Sequence, residues 1–206
     1  MSVTLALVIF VPLILFGWLV SQAMPTPRER QLQRLRNRAR DHDIVVTLRH
    51  VKDPDPDPAD RVSSGGKVRD PRQEVAAYAF PMRLPPGVDG RHAPAWRVQY
   101  LRNHANAVHD AGLCPGWRFE TAGLPLTGSA VAELSEFLAD APAGTVQIEG
   151  DKREVALCWR ERGEAEEVDA VADLLAGLAT WQAALAAQVA SAERAARSVD
   201  GMDPEG

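Results

Sequence analysis

The sequence predicts an α+β protein with an N-terminal single transmembrane helix, then a small antiparallel sheet packed by helices, and a long C-terminal helix. Three observations predict this order. Residues 3–20 carry no charge, residues 44–160 contain short β-branched or alternating segments, and residues 164–196 contain no proline and one glycine. The composition, 46% hydrophobic and 25% charged, is that of an ordinary globular chain.

The uncharged run predicts a transmembrane anchor over residues 1–23. At 1.5 Å per residue, about 20 apolar residues span the roughly 30 Å hydrocarbon core of a bilayer. The first positive charges follow this run, so the positive-inside rule predicts an inner (plasma) membrane protein with its N-terminus outside and its soluble domain in the cytoplasm. A cleaved signal peptide is the alternative, because residues 21–23 (SQA) have the small-x-small form of a cleavage site.

Residues 24–43 predict a basic juxtamembrane helix. Thr26, Pro27 and Glu29 form a capping box with proline at the first helical position. Leu32, Leu35 and Ala39 then recur on one helical face. Six arginines surround that face. They are interpreted either as contacts with the anionic inner leaflet or as a topogenic charge cluster without lipid specificity, and both interpretations place the segment at the cytoplasmic surface. These membrane-surface candidates are Arg28, Arg30, Arg34, Arg36, Arg38 and Arg40.

Residues 44–163 predict a cytoplasmic α+β domain. Five segments have the β-branched or alternating pattern of short strands, and the last two flank a hairpin turn. The first three strands are joined by connections without a helical pattern, so we expect them to pair as an antiparallel meander. In chain order the predicted strands are residues 44–51, 74–84, 96–102, 145–149 and 154–160.

Prolines and a helix cap define the remaining parts of this domain. Residues 52–66 begin with alternating aspartate and proline, and they predict a flexible acidic linker. Pro81 predicts an edge position or a bulge in the second strand, because proline donates no hydrogen bond to a sheet. Thr127 or Ser129 is the predicted N-cap of a helix over residues 130–139.

The last part of the chain predicts a long helix over residues 164–197 and a disordered tail over 198–206. Acidic residues in the first turns suit the helix dipole. We expect the first half of the helix to cover the sheet and the alanine-rich second half to contact a protein partner or a second copy. The alternative is that the second half simply frays. Apolar residues at alternating spacings of three and four form a heptad seam, with partner-contact candidates Val171, Leu175, Leu178, Leu185 and Val189.

No signature of catalysis is found in the sequence, and we expect no catalytic residue, no cofactor and no bound metal. His104, His109, Asp110 and Cys114 are metal-ligating types within eleven residues, but the two histidines would diverge on a helix. Cys158 is interpreted as a small buried strand residue. Residues 103–206 contain 18 acidic and 7 basic residues, which disfavours a nucleic-acid partner.

Three short segments resemble the YajC-type accessory subunit of the Sec preprotein translocase. They are residues 25–31 (PTPRERQ), residues 44–47 (IVVT) and residues 64–68 (SGGKV). That family has one N-terminal membrane helix, a proline- and arginine-rich exit and a small cytoplasmic β-domain. The resemblance implies association with the secretion channel, and it has no counterpart for the chain from Trp96 onward.

Taken together, the sequence predicts a non-catalytic, single-pass membrane-tethered binding or assembly module. Its expected partners are the lipid bilayer and a protein partner or second copy bound through the C-terminal helix. One alternative is the translocase accessory subunit. Another is a small membrane-proximal enzyme, which requires a pocket near Trp117 and residues 104–114 with perturbed titrating groups.

Overall fold

The structure is a computed structural model that describes residues 24–57, 71–102, 110–120 and 126–200, together with residues 13, 15, 18, 62 and 66–68. It divides the chain into two units, Met1–Arg34 and Leu35–Gly206. In the first unit, Leu13, Leu15 and Trp18 are helical and more than half exposed. The rest of the predicted membrane helix, and residues 201–206 of the predicted tail, lie outside the described residues.

An α+β architecture is confirmed in the described part of the chain. It contains a six-stranded antiparallel sheet, three α-helices and a short 3-10 turn at Gly90–His92. In chain order the elements are α1 (Pro27–Asp41), β1 (Val45–Lys52), β2 (Arg72–Pro81), β3 (Trp96–Tyr100), β4 (Trp117–Phe119), α2 (Gly128–Ala139), β5 (Thr145–Gly150), β6 (Glu154–Trp159) and α3 (Glu167–Asp200). The sequence did not predict β4, which lies in a segment that has no alternating pattern.

The strand order is β1-β2-β6-β5-β3-β4, so the predicted meander of the first three strands is wrong. The hairpin of β5 and β6 lies between β2 and β3. Both hairpin strands are buried along almost their whole length, and such strands gain most from a central position. Pro81 is the last residue of β2. The pairing of β2 with β1 ends two residues earlier, at Val45↔Ala79, so on that side Pro81 is at an edge, as the sequence predicts.

The register divides the sheet into a helix-covered face and an open face. On the helix-covered face Tyr78 is opposite Leu157 and Trp159 is opposite Ala76, and α3 packs against β2 and β6 on that side. The open face, which carries no helix in the described part of the chain, includes the pair Ala77↔Cys158. These two residues belong to a small buried apolar cluster of Val51, Val75, Ala77, Val146 and Cys158.

The second half of α1 is part of the folded domain. Leu35 and Ala39 are completely buried. The Arg36 guanidinium donates to both oxygens of Glu161, at 2.9 and 2.7 Å, and the Tyr78 hydroxyl donates to Glu161 Oε1 at 3.0 Å. Burial, with the Glu161 charge as a smaller contribution, raises the pKa of Tyr78 far above its usual value. This buried network fastens the second half of α1 to the sheet.

A second set of polar contacts joins α1 to the start of α3. The Arg38 guanidinium donates to both oxygens of Asp169, at 2.8 and 3.0 Å, and His42 Nε2 lies 2.7 Å from Asp169 Oδ1. The hydrogen bonds from Arg38 and His42 lower the pKa of Asp169 to about 2. Two of the six arginines assigned to the membrane surface, Arg36 and Arg38, therefore bind carboxylates of the domain, while Arg28, Arg30, Arg34 and Arg40 are exposed.

The middle of α3 is held on the sheet by Gln182, which is completely buried. Its Oε1 accepts from Trp96 Nε1 at 2.7 Å, and its Nε2 donates to the backbone oxygens of Pro94 at 3.1 Å and Asp151 at 2.6 Å. Gly150 leaves the room for this amide: a Cβ there would lie 2.0 Å from Gln182 Oε1. The glycine is therefore a packing requirement.

Helix α3 is largely a core helix. Of the predicted heptad seam, Val171, Leu175 and Leu178 are completely buried within the chain, Leu185 is half-buried and Val189 is exposed. Burial continues to Ala190, and residues 191–197 are exposed. Among the described residues, the stretch Glu167–Arg197 is the one helix long and apolar enough to cross a membrane, but 56% of its apolar window is buried inside the domain.

Candidate binding site

A cavity of about 500 Å³ lies between the ends of β3 and β4, the turn before β4 and the C-terminal end of α2. Its walls are mainly alanine, proline, leucine and aromatic side chains. The rings of Tyr100 and Trp117 meet there at 5.4 Å between centroids. The lining residues are Tyr100, Cys114, Pro115, Trp117, Leu138, Ala139, Ala141, Pro142, Ala143, Gly144 and Thr145.

One wall of this apolar cavity is a turn fixed by hydrogen bonds. Thr145 Oγ1 donates to the backbone oxygen of Pro142 at 2.7 Å, and Trp159 Nε1 donates to that of Ala143 at 2.9 Å. Gly144 has φ +89°, a conformation that side chains with a Cβ rarely adopt. The wall is thus preformed, as in most small-molecule sites.

The other wall is the turn between residues 110 and 117. Asp110 Oδ2 accepts from the backbone N–H of Phe119 at 2.7 Å, and Leu101 N–H donates to the oxygen of Gly116 at 2.7 Å. These bonds hold Cys114 at the cavity. Asp110 thereby has a structural partner in β4.

Cys114 is the titratable sulfur of the apolar cavity. Burial raises the pKa of its thiol above the usual value, and a hydrogen bond with Ser135 opposes that shift. At neutral pH the group is a protonated thiol, which is a poor nucleophile. With an apolar lining and a neutral thiol, the arrangement suits binding of an apolar ligand better than acid–base or nucleophilic chemistry.

The predicted ligand-type residues are only partly placed. Asp110 and Cys114 both lie in the turn that precedes β4. His104 and His109 lie outside the described residues. Within the described residues no group of three or more His, Cys, Asp or Glu side chains could hold a metal ion. Cys158 is buried as the sequence predicts, and burial together with the charge of Glu149 raises the pKa of its thiol to about 12.

A smaller cavity of about 150 Å³ adjoins the apolar one, and Tyr100, Gly144 and Thr145 line both. Three arginines line this second space: Arg102, Arg160 and Arg162. We call it the arginine cavity. It lies at the end of the sheet where β3 and β6 finish and the acidic linker begins.

The open face of the sheet carries a row of ion pairs. Arg49 Nη1 donates to Glu149 Oε1 at 2.8 Å, and Arg97 Nε donates to Glu149 Oε2 at 2.6 Å. Arg97 also pairs with Glu120. These charges keep the open face of the sheet polar. Because they are paired with one another within the chain, they do not indicate a site for a charged ligand.

The enzyme alternative requires a pocket near Trp117 and residues 104–114. Trp117 and Cys114 line the apolar cavity, whereas residues 104–109 lie outside the described residues. The arginine cavity was not predicted from the sequence. Arg160 and Arg162 are two residues apart after a strand, which is a weak sign of a shared side. Gln73 lies in β2 and Arg102 follows β3, and only the strand order brings them to the same end of the sheet.

No family model, curated protein or solved structure matches this chain.

Proposed function

We propose that this protein is a non-catalytic, membrane-tethered binding module whose cytoplasmic domain takes a small apolar ligand. The observation that carries the proposal is the apolar cavity of about 500 Å³ with its protonated Cys114. A cavity of that size lies within the range of small-molecule sites. The apolar lining would supply most of the binding free energy through the area that it removes from water.

The tether is supported by the sequence. The uncharged run of residues 3–20 is long enough for one membrane crossing, and arginines follow it at once. In this proposal Arg28, Arg30, Arg34 and Arg40 face anionic lipid, each contributing about 1 kcal/mol at most. We expect the full chain to remain in the membrane pellet after alkaline carbonate extraction, and its release would contradict the tether.

The ligand proposal is tested on the full chain in lipid nanodiscs, with indole as a defined apolar probe. Alkylation of Cys114 by iodoacetamide reports occupancy, because the thiol lines the cavity. Indole should slow that alkylation in the wild type. Ala139→Phe, which fills the cavity from α2, should abolish the protection. Ala132→Phe is the matched control, since Ala132 is also exposed on the same helix and does not line the cavity.

Unchanged alkylation of the wild type at saturating indole would count against a ligand-binding cavity. Equal protection in the two phenylalanine variants would show that indole acts elsewhere. Native mass spectrometry of the protein purified from its source then identifies small molecules that leave with Ala139→Phe and stay with Ala132→Phe.

A second candidate function is assembly through the far end of α3. Val189 is 40% exposed, beside the half-buried Leu185. Leu185→Asp with Val189→Asp should reduce recovery of a crosslinked partner or second copy while the domain stays folded. Recovery of secretion-channel subunits would support the translocase resemblance, and unchanged recovery in the double variant would remove α3 as the contact.

A further inference from the structure

We propose that the arginine cavity binds a small soluble phosphate-type dianion. Arg102, Arg160 and Arg162 line a space of about 150 Å³ that accommodates a tetrahedral oxyanion. Guanidinium groups present several N–H donors in a planar fork that matches the oxygens of phosphate. The site stands whether or not the neighbouring apolar cavity holds a ligand.

The central arginine is already oriented. Arg160 Nε donates to Gln73 Oε1 at 3.1 Å, and its Nη2 donates to the same oxygen. The backbone N–H of Arg160 donates to the oxygen of Gly144 at 3.2 Å. A guanidinium held in this way loses little conformational entropy when it binds an anion.

An orphaned donor lies beside this arginine. Gln73 Nε2 is buried and has no hydrogen-bond partner among the described residues. A buried amide donor left without an acceptor is destabilising, so such groups are rare without a reason. Gln73 itself lines the cavity, so this unpaired donor lies in the same wall as Arg160.

The charge balance of the cavity favours an anion. Burial lowers the pKa of Arg160, and the positive charges of Arg102 and Arg162 lower it further. The negative charge of Asp53 raises it. Asp53 also lines the cavity, and Asp57 lies 4.0 Å from Arg102. These two carboxylates balance two of the three arginines, so one positive charge remains in excess around Arg160.

The test uses the full chain in nanodiscs, with inorganic phosphate as the probe and sodium chloride at equal ionic strength as the reference. Phosphate should raise the melting temperature in a saturable manner. Arg102→Gln with Arg162→Gln, both at exposed positions, should weaken the apparent affinity at least about tenfold. Arg83→Gln with Arg153→Gln removes the same charge from exposed positions near the opposite end of β2 and β6, and should bind like the wild type.

Absence of a phosphate-dependent shift in the wild type would overturn the proposal, as would equal weakening in both double variants. Nanodiscs doped with phosphatidic acid distinguish a lipid phosphate from a free one. An arginine-dependent shift with phosphatidic acid and none with inorganic phosphate would overturn the assignment to a soluble ligand.

Discussion

Replacing Gly150 by alanine should disrupt the attachment of α3 to the sheet. The new Cβ would lie 2.0 Å from Gln182 Oε1 and 2.7 Å from Trp96 Nε1, so the buried amide must move. Overpacking of this kind costs about 1–3 kcal/mol. The three hydrogen bonds of Gln182 each contribute about 0.5–1.5 kcal/mol, and they are lost or weakened together.

We therefore expect Gly150→Ala to lower the free energy of unfolding by about 2–4 kcal/mol, because part of the strain relaxes. For a chain of this size the melting temperature should fall by roughly 5–12 °C. Urea unfolding followed by tryptophan fluorescence measures the change. Gly128→Ala is the control: nothing lies within 4 Å of a Cβ there, so it should be neutral or stabilising by about 0.5 kcal/mol.

A double-mutant cycle identifies the cause. Gln182→Ala should cost about as much as Gly150→Ala, since it leaves Trp96 Nε1 unpaired. If the new methyl group destabilises the protein by displacing the Gln182 amide, the double variant should have nearly the same free energy of unfolding as either single variant. Additivity within about 0.5 kcal/mol would refute the reasoning, because independent sites add.

Three further predictions concern other polar and sulfur groups. Glu161→Ala should cost about 3–5 kcal/mol in urea unfolding, because it leaves Arg36 and Tyr78 without their shared carboxylate, whereas Tyr78→Phe should cost about 1 kcal/mol; equal costs would contradict the network. Asp169 has a lowered pKa, so its contribution to stability is present above the unfolded value of about 3.9 and is lost as the pH falls towards 2. The melting temperatures of the wild type and Asp169→Asn should therefore converge between about pH 4 and pH 2, and a constant difference would count against this contact. Cys114 should react slowly with iodoacetamide at pH 8 and Cys158 only after unfolding, because burial raises both pKa values; mass spectrometry locates the label, and rapid labelling of Cys158 in the native protein would contradict its burial.

Individual elements could be predicted from the sequence because each has a local pattern. The alternation of Val155, Leu157 and Trp159 predicts a strand face, and the structure pairs Leu157 with Tyr78 and Trp159 with Ala76 on the helix-covered face. Strand order depends instead on burial of whole strands, so the central position of the hairpin is not encoded in any one segment.

The basic helix shows the same limit. Leu35 and Ala39 were recognised as an apolar face, but amphipathicity does not say which apolar surface a helix meets. Here they pack in the domain, completely buried. The arginine cavity was missed for a related reason: Gln73, Arg102 and Arg160 come from three distant segments, and only the folded sheet brings them to one cavity.

The burial of Leu35 and Ala39 in α1 determines at which residue a shortened version of the protein must begin if its domain is to stay folded. A version that begins at residue 41 would discard Leu35 and Ala39 and would leave Glu161 without Arg36. Such a shortened protein should be prone to aggregation, and its failure would say nothing about either cavity. A version that begins at Met24 keeps the capping box, in which Glu29 N–H donates to Thr26 Oγ1 at 3.2 Å, and with it the whole helix. Crystallisation or NMR of the folded domain should start there.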